Sequence, residues 1–161
     1  MSMRVRIAIG AQTLTLFGTD GAAIRIYPVS TALNGPGETE GSNCTPRGRH
    51  RIRALIGRGM PWGTVFRGRR PTGERWSVEM AAAQPQRDWI LSRILWLCGE
   101  EPGFNRLGAV DSMRRYIYIH GTGEDQPMGR PLSHGCVRMR NRDVIELFEL
   151  VEAGTKVEIC E

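Results

Sequence analysis

Cys136 stands two positions after His134 and one after Gly135, within Arg130-Pro131-Leu132-Ser133-His134-Gly135-Cys136-Val137-Arg138-Met139. A second histidine, His120, closes the run Tyr116-Ile117-Tyr118-Ile119 upstream. These residue types are the parts of nucleophilic acyl transfer: a thiol, a base for it, and a glycine that lets backbone amides approach a reacting carbonyl. A free thiol ionises near about pH 8.5, and a neighbouring imidazole is expected to lower that by about two units. His120 is the expected base, because it comes from a separate strand and can approach Cys136 across a site. His134 is the rival: on an extended segment its side chain would point the same way as that of Cys136, and on a tight turn it need not. The amides of Gly135 and Cys136 are candidate oxyanion donors, and Val137 is expected to pack inward.

Other thiols and imidazoles read more plainly. Cys98 and Cys160 fit small buried hydrophobes, and Cys44 lies in a polar loop. A zinc site from His120, His134 and Cys136 lacks an obvious fourth ligand, so no metal is expected. No cofactor motif is present. His50, in an arginine-rich strand, reads as a surface residue.

The elements that must position these groups are mostly strands. Val5–Ile9 and Gln12–Phe17 alternate, and Ala22–Val29 follows a turn at Thr19-Asp20-Gly21. A strand is expected from Arg49 to Leu55, with short strands at Val65-Phe66 and Trp76–Glu79. Asp88 looks like the N-cap of a helix over 88–98, since Trp89–Cys98 is nearly continuous apolar sequence closed by Gly99. Arg115–Ile119 is expected to be a strand that delivers His120. A second helix over 142–152 is expected, capped by Asn141, with Val144, Leu147, Phe148 and Val151 on one face. Lys156–Ile159 closes the chain as a strand.

The 161 residues suit one domain, 1–161. Twenty glycines and nine prolines favour a turn-rich, mainly β fold with helices, of the α+β class. The net charge is +5, almost all arginine, with Lys156 the one lysine. Arginine suits anionic ligands. The arginines are scattered and no nucleic-acid motif occurs, so nucleic acid is not an expected partner. No stretch reaches membrane-span length, and the first ten residues lack a signal-peptide pattern, which points to the cytoplasm if Met1 is the true start.

In four ordered motifs the chain resembles the L,D-transpeptidase catalytic domain family (YkuD type). They are Tyr27-Pro28-Val29-Ser30-Thr31, Thr45-Pro46-x-Gly48, Ile119-His120-Gly121-Thr122, and Ser133-His134-Gly135-Cys136-Val137-Arg138-Met139. The resemblance covers nearly the whole chain. It implies a mixed β-sandwich, with Cys136 as nucleophile and His120 as its activator. It also implies His134 and Gly135 in the catalytic loop, and Arg138, Ser133, Gly121 and Thr122 around the substrate. Arg138 would grip a substrate carboxylate or hold the loop. The 121–132 loop is shorter than in many members, and a helix–loop elaboration at about 80–114 would shape a lid.

The implied substrate is a peptidoglycan stem tetrapeptide, attacked at the carbonyl of its diamino acid with loss of the terminal D-alanine. Water as acceptor gives an L,D-carboxypeptidase of murein recycling, and an amine acceptor gives 3→3 cross-links. With no export signal read in the sequence, the carboxypeptidase is the expected activity and the transpeptidase the alternative. A covalent carbapenem adduct on the thiol is a further implication of the family. A fragment-binding domain without catalysis, and a cysteine peptidase on L-peptides, are the other readings.

Overall fold

The computed structural model describes residues 2–161. Ten strands carry the chain: β1 (Arg4–Ala8), β2 (Thr13–Phe17), β3 (Ala23–Pro28), β4 (Gly48–Ile56), β5 (Thr64–Arg67), β6 (Arg70–Arg75), β7 (Leu91–Gly99), β8 (Tyr118–Gly121), β9 (Val137–Met139) and β10 (Lys156–Cys160). Among the described residues two α-helices, α1 (Val78–Ala83) and α2 (Asn141–Leu150), and a short 3-10 helix, Gly108–Val110, join them. The strand order is β3-β2-β1-β10-β4-β7-β5-β6, and β8 branches from β7 to pair with β9. Pairing is mixed: β1 with β10 and β8 with β9 are parallel, and β4 with β7 and β7 with β8 are antiparallel. The α+β class expected from composition is therefore observed.

The first expected helix is not. Residues 91–99 form β7, buried along almost its whole length and paired with β4, β5 and β8. A continuous apolar run fits a strand covered on both faces as well as a buried helix, and periodicity cannot separate them. Ser92 and Arg93, which break the run, mark a bulge. The register with β8 shifts between Leu91 and Ile94, and Ser92 has a φ of 72°. The 80–114 segment is thus no helical elaboration, since it supplies a central strand. Its loop over 100–112 packs against 40–49 through Glu40, Arg47 and Arg49, so it is not a lid over Cys136. The strand expected at Trp76–Glu79 instead turns into α1, capped by the Ser77 hydroxyl.

α2 appears close to expectation, and its Val144, Leu147 and Phe148 are buried against the main core with Ile119, Val137 and Met139. Asn141 is not its cap; Arg140 holds that place, with no side-chain bond. Asn141 is buried, accepts from Ser92 Oγ at 2.6 Å and donates to Thr122 O at 2.8 Å. It ties the bulge of β7 to the segment after His120.

His50 is also a correction. It is fully buried, with Nδ1 3.1 Å from Gly48 O and Nε2 2.8 Å from Ser112 Oγ. The carbonyl can only accept, so Nδ1 carries the proton and Nε2 accepts from Ser112. Burial pushes its pKa down to about 4, against the opposing pull of the Gly48 carbonyl and Glu101. Because the folded value lies below the unfolded 6.5, this contribution is complete above about pH 6.5 and is lost as pH falls toward 4. Charging His50 costs on the order of 3 kcal/mol. Thermal unfolding followed from about pH 7 to about pH 4 should show a fall in Tm that is shallower in His50→Gln, which can keep the Ser112 bond without titrating. Parallel curves for the two proteins would refute this role for His50.

Candidate active site

The parallel ladder of β8 and β9 places the site. Ile119 pairs with Val137, and His120 with Arg138. Side chains alternate across a strand. Ile119 and Val137 therefore face the main core, and Tyr118, His120, Cys136 and Arg138 share the opposite face. That face opens into a cavity of about 470 Å³ lined by Gly68, Arg69, Asp88, His120, His134, Cys136 and Arg138, among others. A second basin of about 260 Å³, with Glu40, Asn43 and Arg114, reaches Cys136 from the other side.

The four sequence motifs converge to build the cysteine loop. Ser30 exchanges both backbone bonds with Arg138 at 2.9 Å. Thr31 O accepts from the amides of Leu132 and Ser133 at 2.9 Å. Thr45 Oγ1 donates to Gly135 O at 2.9 Å. Ser133 Oγ donates to Cys136 O at 2.5 Å and accepts from Gly135 N at 3.2 Å. Gly135 has a φ of 132°, a conformation that strains any other residue, and a Cβ there would also crowd Cys44 O at 3.3 Å.

Those contacts revise several expected roles. The Gly135 amide is engaged by Ser133, so it is not a free oxyanion donor; the Cys136 amide makes no such bond among the described residues. Ser133 is buried and staples the loop. Gly121 sits where a Cβ would collide with Asn141 Oδ1 and Leu91 O. Thr122 is buried, its carbonyl held by Asn141. Gly121, Thr122 and Ser133 therefore hold the frame, and Ser133 also lines the cavity of Cys136. Arg138, also buried, donates from Nη2 to Asp88 Oδ1 at 3.0 Å.

His120 and His134 separate clearly. His120 is buried, and its Nδ1 lies 2.6 Å from Gly121 O. A carbonyl only accepts, so Nδ1 is protonated and Nε2 is left as the acceptor. His134 is exposed, with Nδ1 3.5 Å from Asp88 Oδ2. The geometry suits His120 as the base and His134 as a rim residue.

Electrostatics favour a neutral resting pair. Desolvation pushes the Cys136 thiol up to about 12; the Tyr118 amide and the charges of Arg138 and Arg115 pull the other way. Its sulfur accepts from Tyr118 N at 3.3 Å and donates to Tyr116 O at 3.4 Å, a donation only the protonated thiol can make. Burial likewise holds His120 below the ordinary imidazole range, although Asp88 and the Gly121 carbonyl oppose it. Burial thus raises the thiol pKa where the sequence leads one to expect a lowered one. Attack by such a thiol would require its proton to be taken up in the same step, and His120 is the base placed on its face of the sheet.

Asp88 is the group that sequence reasoning missed, having read it as a helix cap. Burial would raise its pKa, but His120, Arg138 and His134 outweigh that and hold the carboxyl below its usual range. Arg69, Arg115 and Tyr116 also went unmarked. Tyr116 is not in a strand: it has a φ of 57°, which turns its carbonyl to the thiol. Arg115 Nη2 donates to Cys44 O at 2.7 Å and holds the 37–45 loop beside Gly135. No local pattern distinguishes these residues from ordinary surface arginines and tyrosines.

Comparison with known proteins gives a consistent picture. The family model of the L,D-transpeptidase catalytic domain matches residues 2–159. A Bacillus licheniformis protein, YkuD, described as a candidate L,D-transpeptidase, is 46% identical over 46 residues, 29% of this chain and 28% of that protein. A probable L,D-transpeptidase of Escherichia coli, YbiS, is 47% identical over 47 residues, 29% of this chain and 15% of its own length. The chain thus aligns with under a third of either relative. Among solved structures, L,D-transpeptidase 3 from Mycobacterium tuberculosis with a faropenem-derived adduct superposes with a TM-score of 0.58 at 17% identity, covering 99% of this chain and 60% of that one. The L,D-transpeptidase from Xylanimonas cellulosilytica gives 0.56 at 20% identity, covering 98% and 60%.

The neutral pair has a measurable consequence. Alkylation of Cys136 by iodoacetamide, followed by peptide-resolved mass spectrometry, should be slower near neutral pH than that of a free cysteine and should climb into the alkaline range. A rate already on a plateau below about pH 7 would show a preformed thiolate–imidazolium pair instead.

Proposed function

The chain belongs to the L,D-transpeptidase catalytic domain family, and on that premise we propose that it cleaves the terminal D-alanine from peptidoglycan stem tetrapeptides, with water as the acyl acceptor. The observation that carries this reading is the placement of Cys136 and His120 on one face of the sheet at the β8–β9 ladder, with Cys136 at the junction of two basins.

The thiol sulfur attacks the carbonyl of the diamino acid as its proton passes to His120 Nε2. A carbon–sulfur bond forms and the carbonyl oxygen takes the negative charge, facing the Cys136 amide. One such donor contributes about 2.7–4 kcal/mol to the transition state. The intermediate collapses, the carbon–nitrogen bond breaks, and His120 returns the proton to the leaving amine. Water, deprotonated by His120, then attacks the thioester, and the thiol is restored. Asp88, lining the same cavity, favours the transient imidazolium by charge.

Water as acceptor is supported by the polar and charged side chains beside His120 in the cavity, Asp88, His134 and Arg138, which can hold and orient it. The net charge of +5 suits short anionic fragments, the soluble material of murein recycling in the cytoplasm. Asp88 also favours a second reading. A half-exposed carboxylate beside the base would attract an ammonium group, which is what a cross-linking acceptor brings.

Incubation with a monomeric tetrapeptide, read by mass spectrometry, should give tripeptide and free D-alanine. Cys136→Ala and His120→Ala should each lower turnover by at least about a thousandfold. Dimeric product would favour the cross-linking reading, and no D-alanine release would sink both. A carbapenem should add its full mass to Cys136, and the adduct should be absent from Cys136→Ala.

A further inference from the structure

β5 and β6 form a hairpin whose two-residue turn, Gly68-Arg69, overhangs the cavity of Cys136. Both residues have positive φ, 56° and 65°. This is the pattern of a type I′ turn, whose second position favours glycine. Arginine there breaks the local rule, and such exceptions concentrate at functional positions.

The Arg69 side chain is held in place. Its guanidinium lies 4.6 Å from the ring centre of Trp96 and 4.9 Å from that of Tyr116, and Nη1 donates to Tyr118 Oη at 3.0 Å. No carboxylate lies within ion-pair distance of it among the described residues. The cavity's other guanidinium, Arg138, is occupied, since it pairs with Asp88. Arg69 is thus an oriented, unneutralised charge with donors to spare at the rim.

The chemistry says what should meet it. His120 must protonate the leaving amine, so the leaving residue lies in the cavity of His120, which is also the cavity of Arg69. In an α-amino acid the carboxylate sits one carbon from that amine. We propose that Arg69 reads the free C-terminal carboxylate of the leaving residue, making the enzyme selective for donors that end in an acid. This rests on the acyl-transfer reading above.

The test compares kcat/KM for a free-acid tetrapeptide and its C-terminal amide in the wild-type protein, Arg69→Gln and Arg69→Gly. The glycine variant suits the turn and guards against a folding artefact. The wild type should prefer the acid by about ten- to a hundredfold, the value of one charge-assisted pair. Both variants should lose most of that preference, through the acid far more than the amide and mainly through KM, with Arg69→Lys recovering part of it. A preference kept intact in the variants, an equal loss on both donors, or no preference in the wild type would each overturn the role of Arg69. Failure of the wild type to turn over either donor would instead overturn the functional reading itself.

Discussion

The ladder between β8 and β9 has only three residue pairs, yet the catalytic arrangement depends on its register. A slip of one residue would turn His120 or Cys136 to the wrong face of the sheet and bring Ile119 or Val137 into the cavity. So short a ladder has few bonds of its own, and the protein fixes it from outside. Ser30 bonds to Arg138 on the free side of β9, Thr45 ties down the Gly135 carbonyl, and α2 packs Val144, Leu147 and Phe148 under Ile119 and Val137. The distant opening strands and the 27–48 segment thus serve the chemistry by holding one register.

Within that frame, burial and charge act against each other. Desolvation keeps both the thiol and the imidazole neutral at rest. Asp88, Arg138, Arg115 and the Tyr118 amide are arranged around them and bias the charged forms each in its own direction. On the acyl-transfer reading, the thiol and imidazole carry no charge before substrate arrives, and their ionic forms develop as the carbonyl is attacked. An exposed thiolate would be open to oxidation and stray electrophiles; a neutral, half-buried thiol is less so.

Cys136, His120 and their motif partners stand out in the sequence because they are rare residue types in a fixed order, and the structure brings them to one face. Strands with alternating patterns, such as β1, β2 and β10, and the amphipathic α2, were legible too. β7 was not, because a strand covered on both faces loses the alternation that would identify it. The same ambiguity obscures Asp88, which reads as a helix cap wherever 88–98 reads as a helix. His50 was misplaced for a related reason: its neighbours Arg49 and Arg51 lean outward while it points in. Arg69, Arg115 and Tyr116 owe their positions to pairings and backbone angles set by residues remote in the chain. No local window contains that information.

The partner that orients His120 is the carbonyl of Gly121, the residue next to it in the chain. In a serine-protease-like triad that place is taken by a carboxylate side chain, which one codon change can delete and which acid can protonate. A main-chain oxygen is open to neither. No substitution removes it, it does not ionise at any pH, and it travels with the histidine through any insertion elsewhere. What mutation can disturb is only its direction, and so the selective burden shifts from a third catalytic residue to the glycine-tight packing around it. Loss of function by that route would arise through crowding at Asn141, Leu91 or Gly121, positions that carry no chemistry of their own.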